Sequence, residues 1–307
     1  MNKISFILLF FILILAMNGS LFLGHYPISL DEYLMFMQRL LGFHSVISLE
    51  KYEMLSSVIL DIRLPRVIAA VLIGASLAVA GASFQAMFVN PLVSPGILGV
   101  LSGASFGAAL GMVLGVHWFL INLLTFIFGM IAVLVALSIS LIYSSAKNMI
   151  ILVLGGIISS SLFSALLSMV KYGADPYDAL PAITYWLMGS LSFSTSNMVW
   201  NLAIPMLAGI LILILFSKYL NALSLGEEEA KALGVDTKKI KLTVIIVATF
   251  ISALSVILAG IIGWVGLIIP HIARLLFGAD NKIILPMSAL LGGLFLLIVD
   301  NTSKMIF

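Results

Sequence analysis

Nine apolar runs, most of them long enough to reach across a hydrocarbon layer, follow one another along this chain of 307 residues. They occupy about 4–24, 58–84, 96–115, 117–143, 149–171, 197–217, 240–261, 263–278 and 283–303. A bilayer crossing needs only about 20 apolar residues. Inside lipid every backbone amide must be paired within its own segment or in a closed barrel. Barrel strands alternate polar and apolar residues over about ten positions, and these runs do not. The expected fold is therefore all-α, a polytopic transmembrane helix bundle of about nine spans. The chain is 62% hydrophobic and 9% charged, whereas a soluble domain carries roughly 25% charged residues; too little polar surface remains to face water. The first run, after Lys3, has the length of a span rather than of a secretory signal core and is read as uncleaved. No period of 20 to 50 residues and no low-complexity tract divides the chain, so one domain over 1–307 is expected.

Three polar stretches separate the runs: Gly24 to Ser57, Tyr172 to Ser196 and Lys218 to Lys239. With a cytoplasmic N-terminus and every run crossing, the inner side holds nine basic residues: Lys3, Lys147, Lys218, Lys231, Lys238, Lys239, Lys241, Arg274 and Lys282. The outer side holds six: Arg39, Lys51, Arg63, Arg66, Lys171 and Lys304. That excess follows the positive-inside rule. The basic residues are scattered singly, which excludes a nucleic-acid footprint. Cysteine is absent, so no thiolate chemistry arises. His25, His44 and His117 lack the spacing of a metal site. No nucleotide-binding glycine loop, metalloprotease helix or nucleophile elbow is present, so energy for any active transport would come from another subunit.

Four features stand out from the apolar background. Gly103, Gly107, Gly111 and Gly115 recur every fourth residue and fall on one helix face; they allow close helix packing or could line a wide pathway. Gly74, Ala78 and Gly81 form a similar stripe. Asn90-Pro91-Leu92-Val93-Ser94-Pro95-Gly96 must break the helix, because proline donates no backbone hydrogen bond. Leu225 to Val235 reads as a short soluble helix on the inner side, with Glu227 four residues before Lys231 and Gly234 at its C-terminal cap. Its Ala230 and Leu233, three apart, could press into a partner's groove. Finally, Pro270 bends a run that carries His271 and Arg274 on one face. A proton-relay or catalytic reading finds no second histidine or nearby acid there, and structural capping of the helix end is the expectation.

With those residues in place the chain resembles the FecCD-type permeases of ABC importers for iron-siderophores, haem and vitamin B12. The resemblance is carried by Arg63-Leu64-Pro65-Arg66, by Gly81-Ala82-Ser83-Phe84-Gln85 with Asn90-Pro91-Leu92, and by Pro95-Gly96-Ile97-Leu98-Gly99-Val100 with Ser102-Gly103-Ala104. Trp186-Leu187-Met188-Gly189-Ser190, the Leu225–Gly234 stretch, and Gly266-Leu267-Ile268-Ile269-Pro270-His271 with Arg274 complete it. The resemblance implies a ten-helix subunit that pairs with a second permease, identical or paralogous, around a central path. It further implies two cytoplasmic ATPases, which would hold ATP and magnesium, and an extracytoplasmic binding protein. No cofactor or metal is expected on this chain itself, and no enzymatic activity. Residues 218–239 resemble the cytoplasmic coupling loop, with Leu225, Gly226, Glu227, Glu229, Ala230, Leu233 and Gly234 meeting the ATPase. Arg63, Arg66 and Lys304 resemble the basic residues that receive the binding protein. Asn90, Pro91, Pro95, Gly96, Gly103, Gly107 and Gly111 would line or pack the path. The family's tenth helix would follow Phe307, where this sequence stops. Expected localisation is the cytoplasmic membrane of a bacterium or archaeon. Alternatives are import of an oxyanion such as molybdate, on the same scaffold, and an ATP-independent secondary carrier, which would call for ionisable residues within the spans.

Overall fold

A computed structural model of the chain describes residues 3–24, 26–44, 47–143 and 149–306. His25, Lys147 and Phe307, which enter the sequence reading, lie outside the described residues. The first run is α1 (Lys3–Ser20), ending before residue 24. Two short helices follow, α2 (Leu30–Leu40) and α3 (Leu49–Ser56). The Ser29 hydroxyl accepts from the Glu32 amide while the Glu32 carboxylate accepts from the Ser29 amide, a capping box that fixes where α2 begins. A π-helical segment, Ser57–Arg63, continues α3 into α4 (Leu64–Phe88). The π geometry has a local cause. Pro65 has no N–H for the carbonyl four residues back, and its ring crowds that carbonyl; the Leu64 amide then reaches Ile59, five residues back.

Nearly all of α4 is buried, which is why its sequence is small or apolar all round rather than striped. It is the central post, packed along α14 (Asn281–Ile306) and against α9 (Ser196–Leu215), α12 (Thr237–Ala259) and α13 (Val265–Phe277). Glycines set the distances. A Cβ at Gly74 would fall on the Gly292 carbonyl, and one at Gly81 on the Gly266 carbonyl. The remaining elements are α5 (Val100–Val113), α6 (Trp118–Tyr143), α7 (Met149–Gly173), α8 (Ala179–Met188), α10 (Ser217–Leu223) and α11 (Glu227–Ala232). The outer flanks of α7 and α9 expose Ile150, Leu154, Ile157, Ile204 and Leu207, as surfaces facing lipid tails would. Four buried hydroxyls are satisfied inside their own helices: Ser83, Thr125, Ser252 and Ser255 each donate to the carbonyl four residues back.

The helices differ in length from the nine predicted runs. Among the described residues, six helices are long and apolar enough to cross a membrane, the longest running unbroken from Leu49 to Phe88, not from 58 to 84. Two predicted spans are shorter: α5 and α13. For α5 and α13 the cause is the chain breaks before them, Pro91 to Gly99 and Gly260 to Trp264. Conversely, the stretch 172–196, taken as a polar connection, contains the apolar α8. At about 1.5 Å per residue its 10 residues are too few to cross. It buries Ile183 and Trp186 and packs on α5. Gly115 also leaves the glycine row, since α5 ends at Val113 and Gly115 has φ +60°.

Candidate translocation and docking sites

Three places hold the residues singled out above. The first is the pair of chain breaks. Gly99, at φ +88°, starts α5 after a 3-10 turn at Pro95–Leu98. The second break, Gly260 to Trp264, precedes α13. Ser94, Pro95 and Gly96 share a small cavity with Ile262, Gly263 and Trp264, and Leu77 and Ser252, from the middles of α4 and α12, line it too. Irregular backbone therefore meets irregular backbone well inside the bundle, an arrangement tolerated at membrane depth only where protein or water satisfies it. Trp264 takes a left-handed φ of +66° and is 75% exposed, a strained placement for an aromatic residue. Asn90 and Pro91 lie apart from this cavity. They border a separate hollow near the far end of α4, with Gln85, Ser224 and Arg274. The glycines of α5 do not line either: Cβ atoms at Gly103 and Gly107 would strike the Phe128 and Leu124 carbonyls of α6, and one at Gly111 would crowd Ile121. The glycine row is a helix contact.

Pro270 leaves the Gly266 carbonyl without its usual helical donor, and Gln85 of α4 answers for it. The Gln85 amide nitrogen lies 3.5 Å from the Gly266 oxygen and 3.2 Å from the Leu267 oxygen. Its own oxygen accepts from the Arg274 guanidinium at 2.5 Å. Arg274 thus serves α13 through Gln85 rather than by capping the helix end directly. His271 is exposed. In the sequence Gln85 is one residue of the Gly81-Ala82-Ser83-Phe84-Gln85 motif. Its role needed the proline and the arginine to be placed against it.

The second place is the Arg274 end of the bundle, where α10 and α11 form a lever. Leu220 and Leu223 of α10 are buried against α4 and α14. The Asn221 amide donates to Asp280 at 2.6 Å and its oxygen accepts from the Asn281 amide at 2.8 Å; Asn281 in turn donates to the Ser224 hydroxyl. The Asn221 bond holds the Asp280 carboxyl below its ordinary pKa. Gly226, at φ +125°, starts α11. Its end is a left-handed turn at Gly234, in which the Val235 amide donates to Ala230 and the Gly234 amide to Lys231. Ala230 is 0% exposed, whereas Leu225 and Leu233 are 66% and 65% exposed. The predicted Ala230 and Leu233 face is thus corrected: Ala230 belongs to the core, and the outward apolar pair is Leu225 with Leu233. Glu229 is also exposed and folds back over Gly226. Glu227 turns toward α12. It pairs with Lys241, accepts from the Thr237 hydroxyl at 3.2 Å, and pairs with Lys231 at 3.2 Å. Burial raises the Glu227 carboxyl, but the two lysines outweigh it and hold it below its ordinary pKa.

The third place is the opposite end. Asp300 of α14 is nearly buried and is gripped twice: by Arg66 at 2.8 and 3.0 Å, and by Lys304 at 2.6 Å. Arg66 also donates to Ser192 at 3.1 Å. Arg63 is only 7% exposed and its guanidinium donates to the Leu21 carbonyl at 2.7 Å and to that of Tyr26. Of the three basic residues expected to receive a binding protein, Arg66 alone keeps an appreciable exposed edge.

A bundle of antiparallel apolar helices, broken at two facing points and carrying a helical lever at one end, defines a multi-pass membrane transport subunit. The comparisons with known proteins agree: the chain belongs to the FecCD transport family, whose model matches residues 8–307. It is 38% identical over 247 residues to the molybdate import system permease protein MolB of Haemophilus influenzae, covering 80% of this chain and 73% of the relative. The hemin transport system permease protein HmuU of Yersinia pestis is 34% identical, with 80% and 74% covered. The vitamin B12 import system permease protein BtuC of Vibrio parahaemolyticus is 35% identical, with 84% and 77% covered. Among solved structures, a metal-chelate type ABC transporter in an inward-facing conformation superposes with a TM-score of 0.88 at 36% identity, over 100% of this chain and 92% of the other. The chain is an ABC transporter permease.

Proposed function

We propose that this permease imports a bulky metal chelate of the iron-siderophore, haem or cobalamin kind, across the cytoplasmic membrane of a bacterium or archaeon. The observation that carries the substrate class is the lining of the two facing breaks. Leu77, Ser94, Pro95, Gly96, Val100, Leu101, Ser252, Ile262, Gly263, Trp264, Gly266 and Leu267 include no charged side chain. A large chelate passes best along small and apolar walls without strong ligands. A bare oxyanion would favour cations or aimed amides. Import of molybdate is the second reading, favoured by the likeness to MolB.

In this reading the chain pairs with a second permease, and two ATPases dock beneath on Leu225 and Leu233, which face outward beside the glutamates of α11. A binding protein approaches the Arg66 end, and Arg66 supplies the steering charge there. ATP and magnesium belong to the ATPases. Nucleotide-driven closure of the ATPases would move the levers and switch the path between its two faces. The test is reconstitution in vesicles with cognate ATPases and a cognate binding protein. ATP-dependent uptake of a radioiron chelate, haem or cobalamin, with no uptake of molybdate, is expected. Molybdate uptake alone would overturn the chelate reading, and uptake without ATPase subunits would overturn the importer reading.

A further inference from the structure

Resemblance places Glu227 among the residues that meet the ATPase, but the geometry gives its carboxylate a different occupation. Glu227 sits in the first turn of α11 with both oxygens committed within the chain. One faces Lys241; the other faces the Thr237 hydroxyl and Lys231. Thr237 is 2% exposed, and Lys241 and Glu227 are mostly covered. No other ion pair among the described residues joins α11 to α12. α11 meets α12 over a short stretch, with Ala230 in the same apolar cluster as Ile240 and Val244, whereas α10 is anchored to α4 and α14. α11 is only six residues long, too short to hold its place by helix propensity, so its direction depends on its ties.

What α12 joins at its far end gives this tie a purpose. The Ala259 carbonyl accepts from the Ser190 amide at 2.8 Å, and the Leu258 carbonyl from the Ser194 hydroxyl at 2.8 Å. Gly189 and Gly260 lie in backbone contact. One end of α12 therefore holds the lever, and the other holds the turn that follows α8. Most of its length is buried, so it moves as a unit.

We propose that Glu227 is a positioning residue that latches α11 to α12 through Lys241 and Thr237, passing displacement of the lever into the bundle, and that it does not itself dock the ATPase. This inference rests on the importer reading above, with Leu225 and Leu233 as the docking pair. The latch requires an ion pair across α11 and α12; a docking role would require the Glu227 carboxylate to be free for a partner.

The absence of cysteine allows a reversible test in the complete transporter. Glu227→Cys with Lys241→Cys is reconstituted with the ATPases and binding protein, and radioiron chelate uptake per ATP hydrolysed is measured. It is then joined by a short reducible bis-methanethiosulfonate linker, and afterwards reduced. The unlinked variant is expected to keep its ATPases bound and to lose about tenfold in uptake per ATP, within the usual span of coupling between linked sites. Linking should restore the ratio to within about twofold, and reduction should abolish it again in the same sample, which separates the effect from misfolding. Retention of full coupling in the unlinked variant, or a linker that restores nothing, would overturn the latch. Detachment of the ATPases from Glu227→Gln would assign the residue to docking instead. If the unaltered transporter shows neither ATPase binding nor ATP-driven uptake, the importer reading fails rather than the latch.

Discussion

Replacing Gln85 with leucine isolates the bond network that lets α13 carry a proline. Leucine keeps the volume and the apolar stem but removes the donor to the Gly266 and Leu267 carbonyls and the acceptor for Arg274. The Leu267 oxygen keeps its helical partner four residues on, whereas Gly266 loses the only side chain standing in for the missing Pro270 amide. Hydrogen bonds between membrane helices are worth about 0.6 to 2 kcal/mol each. Three such bonds are lost, the one to the Gly266 oxygen long at 3.5 Å, so destabilisation of about 2 to 4 kcal/mol is expected, most of it from the bond to the charged guanidinium. Arg274→Leu alone removes only the outer bond and should cost less than Gln85→Leu. The assay is reversible unfolding of the purified permease in mixed micelles, run as a double-mutant cycle. A coupling energy of at least about 0.5 kcal/mol between the two positions is expected for groups in direct contact. Strict additivity, or an Arg274→Leu variant less stable than Gln85→Leu, would refute the network.

Further expectations follow from the other sites. Asp300→Asn strands Arg66 and Lys304 beside a neutral side chain and should cost about 3 kcal/mol or more, as broken buried pairs do, measured by thermal unfolding in detergent. Gly81→Ala forces a methyl group onto the Gly266 carbonyl and should cost about 1 to 3 kcal/mol as overpacking does, while Gly234→Ala, with open space around it, is penalised only by its left-handed backbone; the same assay compares them. Leu225→Ser with Leu233→Ser should weaken ATPase retention on an affinity column without lowering the melting temperature, because both side chains are already exposed. The Glu227 pKa is lowered in the fold, so its tie is fully present above the ordinary carboxylate range and is lost as pH falls through the lowered value. A spin label at position 233 should stay immobilised as pH falls from neutrality through the ordinary glutamate range and loosen only below that range; loosening near neutrality would contradict the assignment.

The long helices were legible because lipid imposes one rule on every residue of a span, and that rule is visible in composition. The short ones were harder. α8 hides in a stretch bounded by Asp175 and Asp178 and interrupted by Pro181, and only the i, i+3 spacing of Ile183 and Trp186 hinted at a buried face. The capping box at Ser29 and Glu32 was a readable start signal for α2. At the lever, Ala230 and Leu233 share a face only if the helix continues; it ends at Ala232, so Leu233 turns outward at the cap. Charge type alone could not separate Arg63 from Arg66, since both sit in one motif. The π turn beside Pro65 sends one inward and leaves the other at the rim.

Where α4 meets Gly292 and Gly266 the nearest groups are backbone, with only the Ala78 methyl beside Gly292. Side chains can change rotamer to absorb a sliding neighbour; bare backbone has no such freedom and either separates or stays. α4, α13 and α14 are therefore expected to move as one block. A label on α4 would serve as the fixed reference against which strokes of the lever, and of the helices bordering lipid, are measured.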